Sequence, residues 1–203
     1  MRRVLVTGFE PFGGETTNPS WEAVKSLPDT IDGAGLDLLQ VPVTFGVSGD
    51  MVVARMRETS PDIVICVGQA AGRCGITVER VAIDIADSES EDNAGLSPAD
   101  EPVVDGGPAA YLATLPIKDC VEASRAAGVP CSVSNSAGTY VCNQLMYRVL
   151  HEQAVSGLGV MGGFVHVPLS SSQALTRPQT PSMSLGAMRA GLEAIVSTCV
   201  RSC

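Results

Sequence analysis

The sequence predicts a single α/β domain over residues 1–203, in which helices cover both faces of a mostly parallel, twisted sheet to give three layers. Short apolar segments typical of buried strands alternate with longer segments whose apolar residues recur at helical spacing. This alternation is typical of a parallel sheet flanked by helices. The chain has 203 residues, 45% of them hydrophobic, and no internal repeat or linker divides it. It can therefore bury a sizeable core without disulfides or metals.

The predicted elements follow one another along the chain. Apolar runs bounded by glycine, proline or polar residues predict strands over 4–7, 36–43, 63–68, 78–85, 129–134 and 163–169. Helical spacing predicts helices over 20–27, 49–57, 117–127, 140–153 and 185–199. Asn18 before Pro19 is typical of a helix start. The stretch 170–184, rich in serine, threonine and proline, predicts a loop near the mouth of a site on the preceding strand.

The helix predicted over 140–153 carries a cysteine in its first turn. Val141, Leu145 and Val149 form its apolar stripe, and the residues expected to face away are Gln144, Tyr147, Arg148, His151 and Glu152. At the position of Cys142, unpaired backbone N–H groups favour a thiolate and can bind an oxyanion. The alternative is a small buried apolar residue, which is the commoner role of a free cysteine.

Only two histidines could serve such a thiol as a base. His151 lies nine residues further along the same helix, roughly 13 Å from Cys142 between Cα atoms, and is expected to be solvated. His166 lies near the end of the apolar strand 163–169. Because strand ends and the starts of the following helices meet at the ligand-binding edge of an open α/β sheet, His166 and Cys142 are expected to converge. The alternative for His166 is a core histidine bonded to a backbone carbonyl.

Glu79 is the candidate for a third group. In the alternating segment 76–85, a period of two places Glu79 on the same face as Val81, Ile83 and Ile85. A carboxylate on an apolar face needs a partner, because burying it unpaired is costly. Two interpretations remain open: a structural ion pair with an arginine, or a Cys-His-Glu arrangement in which the glutamate orients the histidine.

The glycine-rich opening, TGFEPFGG at 7–14, is unsuited to phosphate because no Lys-Ser/Thr pair follows and Glu10 is acidic. It predicts a loop that exposes Phe9 and Phe12 as apolar walls, the alternative being that both belong to the core. Gln69 and Asn18 are possible polar contacts nearby. Asn18 could instead only cap the first helix.

Composition excludes several classes of function. The net charge is −9, and the segment between Val81 and Ile117 contains eight acidic residues and no lysine or arginine, so nucleic acid is an improbable partner. Seven scattered cysteines without a Cys-x-x-Cys motif indicate a reducing, cytoplasmic compartment and no bound metal. Neither a signal peptide nor a membrane span is expected.

Several segments together resemble the pyroglutamyl peptidase I family, also called pyrrolidone carboxyl peptidases. These are cysteine peptidases that remove N-terminal pyroglutamate. The resemblance covers essentially the whole chain and rests on TGFEPFGG with NPS at 7–20, GQA at 68–70, ERVA at 79–82, DNAG at 92–95, GGPAAY at 106–111, AGTYVCN at 137–143 and GFVHVP at 163–168.

The resemblance implies a catalytic triad of Cys142, His166 and Glu79 that acts through a thioester, without cofactor or metal. It implies that two aromatic side chains flank the uncharged pyroglutamyl ring. The substrate-binding residues are then Phe9, Phe12, Asn18, Gln69 and Val141. The implied partners are peptides with N-terminal pyroglutamate and further copies of the chain in a homo-oligomer, a homotetramer in many prokaryotic relatives.

One position departs from the pattern. Many bacterial relatives carry Ala-Arg-Ile-Pro before the Asp-Asn pair, with the arginine close to the active site, whereas this chain has Ser-Glu-Ser-Glu at 88–91. Glu89 thus replaces a base by an acid. Two interpretations are open. Glu89 changes the activity or its pH dependence, or it leaves catalysis unchanged.

Two other classes of protein provide the rival interpretations. A serine hydrolase is disfavoured because no Gly-x-Ser-x-Gly elbow is present. A non-catalytic α/β module that binds a small ligand is the remaining alternative, since a fold does not determine a function.

Overall fold

The computed structural model describes all 203 residues, in eleven strands and six helices. The strands are β1 Arg3–Phe9, β2 Thr30–Ile31, β3 Ala34–Val41, β4 Ile63–Gln69, β5 Ile76–Glu79, β6 Val81–Ile83, β7 Ala110–Leu112, β8 Cys131–Ser134, β9 Met161–Val167, β10 Leu169–Ser170 and β11 Ser182–Met183. The helices are α1 Pro19–Val24, α2 Val47–Thr59, α3 Ile117–Ala126, α4 Val141–Ser156, α5 Ser171–Ala174 and α6 Leu185–Ser202. None of the helices combines the length and apolar character needed to cross a membrane.

Seven strands form the central sheet in the order β2-β3-β1-β4-β9-β5-β8. Strands β3, β1, β4 and β9 run parallel to one another, and β2 is antiparallel to β3. Strand β5 is antiparallel to β9 and parallel to β8. The predicted α/β class, with a mostly parallel sheet and helices on both faces, is confirmed. The reversed direction of β5 and β8 is not indicated by the sequence pattern.

Alternate residues of each central strand supply two separate cores. Val165 and Val167 of β9 belong to a core under α1, α3 and α6, whereas Phe164 belongs to a core under α2 and α4. His166 lies on the same face of β9 as Phe164, because side chains two residues apart point the same way. The two layers are called here the α1/α3/α6 layer and the α2/α4 layer.

The prediction of one continuous strand over 78–85 is wrong. The sheet pairing of β5 ends at Glu79, and Arg80 donates its N–H to the Ser134 carbonyl at 2.8 Å. Residues 81–83 then pair with β7 in a separate two-stranded sheet. Glu79 therefore does not share an apolar face with Val81, Ile83 and Ile85, and Ile85 is 37% exposed. The period of two ends where the chain leaves the sheet.

The loop predicted over 170–184 is also wrong in part. It contains the short helix α5 and pairs β10 with β11 in parallel. Ser170 caps α5 by accepting from Gln173 N–H, while the Gln173 side chain accepts from Ser170 N–H. This reciprocal capping box stabilises a helix that the composition of the segment does not indicate.

The outward face predicted for α4 is wrong for three of its residues. Gln144, Tyr147 and Glu152 are buried. The Tyr147 hydroxyl donates to the Pro108 carbonyl at 2.6 Å. Glu152 accepts two hydrogen bonds of 2.7 Å from the guanidinium of Arg57 on α2. Helix α4 is thus covered on its outer side as well as on the side that contacts the sheet.

The expectation that His151 is solvated is wrong as well. Its ring is half-buried and lies parallel to that of Tyr147, with 6.3 Å between centroids. Its Nδ1 shares a hydrogen bond of 2.9 Å with the Tyr111 hydroxyl. His151 therefore belongs to an aromatic cluster on the outer side of α4.

Candidate active site

The first turn of α4 brings Cys142 against the sheet at Gly68. Gly68 of β4 pairs in register with His166 of β9. A Cβ atom added at Gly68 would lie 2.9 Å from Sγ of Cys142 and 2.8 Å from Cζ of Phe164. Only glycine leaves room for the sulfur at this point. The structure thus places Cys142 and His166 next to each other in the α2/α4 layer.

The route by which the chain reaches this position differs from the expected one. Strand β8, which precedes α4, runs in the opposite direction to β9. Ser134 at the end of β8 pairs with Glu79 of β5. The loop 135–140, with Gly138 at φ +80°, then carries the chain to the start of α4. The convergence of Cys142 with His166 therefore depends on this loop, and not on a helix that directly follows a parallel strand.

Glu79 meets both of the partners that the sequence left open. Its Oε1 accepts from Nδ1 of His166 at 2.7 Å and from Nη1 of Arg73 at 2.6 Å. The Glu79 side chain is fully buried. The ring of Phe164 lies 4.8 Å from that of His166 between centroids. One carboxylate oxygen thus orients the imidazole and pairs with an arginine, and Nε2 of His166 is left on the other side of the ring.

The environment sets the protonation of the three groups. Burial lowers the pKa of His166 below its ordinary value, against the opposing hydrogen bond and charge of Glu79. Burial also raises the pKa of the Cys142 thiol to about 12, and the charge of Glu79 adds to this. Although burial alone would raise the pKa of Glu79, the hydrogen bond and charge of His166 lower it on balance, with smaller effects from Ser134 and Arg73.

The resting pair at neutral pH is consequently a neutral thiol and a neutral imidazole beside an ionised carboxylate. The expectation that the helix start favours a thiolate is outweighed here by burial. Attack by the sulfur of Cys142 then requires a general base, and His166 is the neutral base beside it.

The start of α4 is left without a side-chain cap. Tyr140 is the N-cap residue, in extended conformation, and its side chain does not bond the helix. Val141, the first helical residue, is fully buried. Asn143 turns its side chain to the backbone of Ile83 and Ile85 instead. The N–H groups of the first turn therefore remain as donors beside Cys142, as an oxyanion hole requires.

The family model described as pyroglutamyl peptidase matches residues 2–202. The chain belongs to the pyroglutamyl peptidase family.

Relatives and solved structures of this family match along nearly the whole chain. Pyrrolidone-carboxylate peptidase of Thermococcus onnurineus (strain NA1) is 54% identical over 200 residues, which cover 98% of this chain and 100% of the relative. The protein of that name from Klebsiella pneumoniae (strain 342) is 49% identical, covering 99% and 94%. The crystal structure of pyroglutamyl peptidase I of Bacillus amyloliquefaciens superposes with a TM-score of 0.95 at 44% identity, covering 99% and 98%.

In this pyroglutamyl peptidase family member, Gln69 follows Gly68, the residue against which Cys142 lies. Gln69 is in the wall of a concave pocket of about 400 Å³, lined by Phe12, Gly13, Glu15, Gln69, Ala71, Leu169, Arg177 and Thr180. Two of the five predicted substrate-binding residues, one aromatic and one amide, are therefore in its wall. Gln69 accepts from Nε2 of Gln173 at 3.1 Å, so α5 of the segment 170–184 helps to position the pocket.

Two predicted substrate-binding residues are more enclosed than expected. Phe9 is only 2% exposed and contacts the ring of Phe164, so the prediction that it is exposed is wrong. Its position at the end of β1 directs it into the α2/α4 core. Asn18 is 2% exposed and accepts from the N–H and hydroxyl of Ser20, while its amide donates to the Glu10 carbonyl. Asn18 thus caps α1, as the second interpretation proposed, and ties down the glycine-rich loop.

The acidic segment 87–91 lies against the residues that precede Cys142. The Thr139 hydroxyl donates to the Asp87 carbonyl at 2.8 Å, and the Tyr140 hydroxyl donates to the Glu91 carbonyl at 3.1 Å. Glu89 itself is exposed. The cation that contacts Glu79 in this chain is Arg73.

Sequence reasoning missed Arg73, Phe164 and Gln173. Phe164 could have been found, because it lies two residues before His166 and so on the same face of the strand. Nothing in the local pattern singles out Arg73, which lies in the turn between β4 and β5. Gln173 lies in the segment that was expected to be a loop.

Proposed function

We propose that Cys142, His166 and Glu79 hydrolyse the amide bond after an N-terminal pyroglutamyl residue, the reaction of the family to which the chain belongs. The observation that carries this assignment is the buried carboxylate of Glu79 on Nδ1 of His166, with Sγ of Cys142 seated over Gly68 in the register of that histidine. These are the nucleophile, base and orienting acid of a thiol hydrolase.

The reaction proceeds in two halves. Nε2 of His166 takes the thiol proton as Sγ of Cys142 attacks the pyroglutamyl carbonyl, and the uncapped N–H groups of α4 hold the oxyanion. His166 returns the proton to the leaving amine, and a thioester remains. A water molecule then gives a proton to His166 and attacks the thioester, which releases pyroglutamate and restores the thiol. Glu79 stabilises the imidazolium that forms in each half.

We attribute specificity for the lactam to the pocket whose wall includes Gln69, the residue after Gly68. Phe12 supplies an apolar wall and Gln69 an amide, while Phe9 supports the wall from within the core. The side chain of Val141 is fully buried and lies outside the pocket wall, so Val141 can act on the substrate only through its backbone N–H at the start of α4. Asn18 acts by fixing the loop that carries Phe12. An ordinary N-terminal residue brings an ammonium group, whose desolvation against apolar walls costs several kcal/mol, whereas a lactam is uncharged.

We propose two further properties of the chain. It acts in the cytoplasm, which its seven free cysteines support. It forms a homo-oligomer, which the large exposed apolar side chains support; Leu112 is 67% exposed and Leu175 is 85% exposed. Sedimentation equilibrium tests the second property, and a single monomeric species at micromolar concentration would contradict it.

The test of the proposed reaction compares two cysteines. Cys142→Ser is expected to abolish release of a chromophore from a pyroglutamyl amide, because a serine hydroxyl is far less acidic than a thiol. Cys74→Ser, at an exposed thiol outside the triad, is the matched control and is expected to keep full activity. Prolyl and alanyl amides are expected to remain uncleaved.

Two outcomes would contradict the proposed reaction. Turnover retained by Cys142→Ser would remove the nucleophile from the scheme. Binding of a pyroglutamyl analogue in calorimetry, with no turnover by the unaltered chain, would favour the non-catalytic binding module instead.

A further inference from the structure

Arg73 donates to the same oxygen of Glu79 that accepts from His166. Its Nη1 lies 2.6 Å from Oε1 of Glu79, the oxygen that also accepts from His166. The other oxygen of Glu79, Oε2, is buried and has no hydrogen-bond partner. The orientation of the carboxylate therefore depends on donors at a single oxygen: His166 and Arg73 at close range, and the Thr77 hydroxyl at 3.4 Å.

The guanidinium is itself held in place. Nη1 of Arg73 also donates to the hydroxyl of Thr77, whose backbone pairs with His166 in the sheet. The Arg73 side chain is 26% exposed, on the rim of a surface depression of about 450 Å³. The arginine thus reaches a fully buried carboxylate while its own charge keeps partial contact with water.

The groups that face Glu79 come from three neighbouring elements. They are His166 of β9, Cys142 of α4, and Arg73 of the β4–β5 turn. Cys66 of β4 also lies near Cys142, and burial raises the pKa of its thiol to about 12, so it is neutral. Arg73 is the only permanent positive charge in this group. Without it, the carboxylate charge of Glu79 would lie unbalanced beside the thiol and the imidazole.

We propose that Arg73 is a positioning residue for the reaction: it holds Oε1 of Glu79 against Nδ1 of His166 and balances the carboxylate charge beside Cys142. This inference rests on the proposed function for its meaning in catalysis. The charge of Arg73 lowers the pKa of both His166 and Cys142. It thereby keeps the base unprotonated in mildly acidic solution and makes the thiol easier to deprotonate.

The experiment compares three variants with the unaltered chain. Arg73→Met removes the charge at similar length, and Arg73→Lys keeps the charge without the planar fork. The control Arg189→Met removes an exposed arginine that pairs with Glu193 on α6. Two quantities are measured against pH: kcat/KM on a pyroglutamyl amide, and the rate at which iodoacetamide labels Cys142, followed by peptide mass spectrometry.

Removing the charge is expected to change both pH profiles. Arg73→Met should move the acid limb of kcat/KM upward by about one pH unit, which lowers kcat/KM on that limb about tenfold. It should also slow the labelling of Cys142 at every pH below the thiol pKa. Arg73→Lys should recover most of both effects, and Arg189→Met should change neither.

Unchanged pH profiles in Arg73→Met, or a lysine variant no better than the methionine variant, would overturn the proposal and leave Arg73 a structural ion-pair partner. If Arg73→Met does not fold, Arg73→Gln provides the test, because it removes the charge but keeps a side-chain N–H donor; a pH profile identical to that of the unaltered chain then counts against the proposal. Absence of turnover in the unaltered chain would refute the proposed function alone, since the labelling of Cys142 needs no substrate.

Discussion

The two faces of the central sheet use cysteine in opposite ways. In the α1/α3/α6 layer, Sγ of Cys120 lies 3.6 Å from Sγ of Cys199, both side chains are fully buried, and their neighbours are apolar. In the α2/α4 layer, Cys142 lies beside a histidine that a buried glutamate orients. Burial raises the thiol pKa of Cys142, and contact with Cys120 together with burial raises that of Cys199. A base, and not an acidic thiol, is what distinguishes the candidate nucleophile.

A second contrast distinguishes helix α1 on one face of the sheet from helix α4 on the other. Helix α1 is capped by Asn18, which accepts from Ser20 N–H, so its first donors are used within the fold. Helix α4 has no side-chain cap, and its free donors surround Cys142. A capped start stabilises a helix, whereas an uncapped start keeps donors for a ligand. The start of α4 thus lacks the stabilisation of a side-chain cap where the substrate is expected to bind.

The largest expected effect comes from removing the acid of the α2/α4 layer. Glu79→Gln keeps the shape of the side chain but lets His166 take the wrong tautomer, and kcat/KM should fall about 10³-fold. Glu22→Gln, at a partly exposed carboxylate on α1, is the control and should leave kcat/KM unchanged. A loss of less than tenfold in the Glu79 variant would show that the histidine is oriented by other contacts.

The next effect separates stability from activity in the two layers. Leu192→Ala in α6 and Leu145→Ala in α4 each empty a site that is at most 1% exposed, and each should lower the free energy of unfolding by about 2–5 kcal/mol. Urea unfolding measures this loss. The α6 variant should retain kcat/KM at low temperature, whereas the α4 variant should lose part of it because the helix carries Cys142. Equal losses of kcat/KM would contradict the division between the layers.

The pH dependence should follow the buried pair. Because burial lowers the pKa of His166, the acid limb of kcat/KM should lie below the ordinary histidine value of 6.5. The pKa of Glu79 is lowered in the folded state, so its contribution to stability is complete above the ordinary value of 4.5 and is lost as the pH falls through the folded-state pKa. The free energy of unfolding of the Glu79→Gln variant should therefore depend less on pH in this range than that of the unaltered chain.

Glu89→Arg is the control for this pH profile, because Glu89 is exposed and Arg73 already supplies a cation at the triad. It should leave the acid limb in place. A displaced limb would show that the departure at this position alters catalysis.

The smallest effect concerns the capped helix. Asn18→Ala should lower the free energy of unfolding by about 1 kcal/mol, since it removes the cap of α1. Asn18→Asp keeps an accepting oxygen and should recover most of this loss, although it removes the donor to the Glu10 carbonyl. Thermal unfolding measures both values. A higher KM in both variants, although the aspartate variant recovers the stability, would show that the amide acts on the glycine-rich loop or the substrate, apart from capping.

Much of the fold and of the candidate site's geometry could be predicted from the sequence because the determining signals are local. Alternating apolar segments indicate the α/β class, and the position of Cys142 in the first turn of α4 follows from helical spacing. The chain has only two histidines, and His151 is excluded by its distance from Cys142 along the same helix, which leaves His166. Glu79 was identified by a correct rule, that a buried carboxylate needs a partner, although the face assigned to it was wrong.

The tertiary structure alone decided what depends on pairing between distant segments. The reversal of β5 and β8, the end of β5 at Glu79, the burial of Phe9 and the contact of Arg73 with Oε1 of Glu79 leave no mark in a local pattern. Period and spacing determine which side chains share a face, because they follow from backbone geometry. They do not determine which strand lies alongside or in which direction it runs, since those follow from the packing of the whole chain.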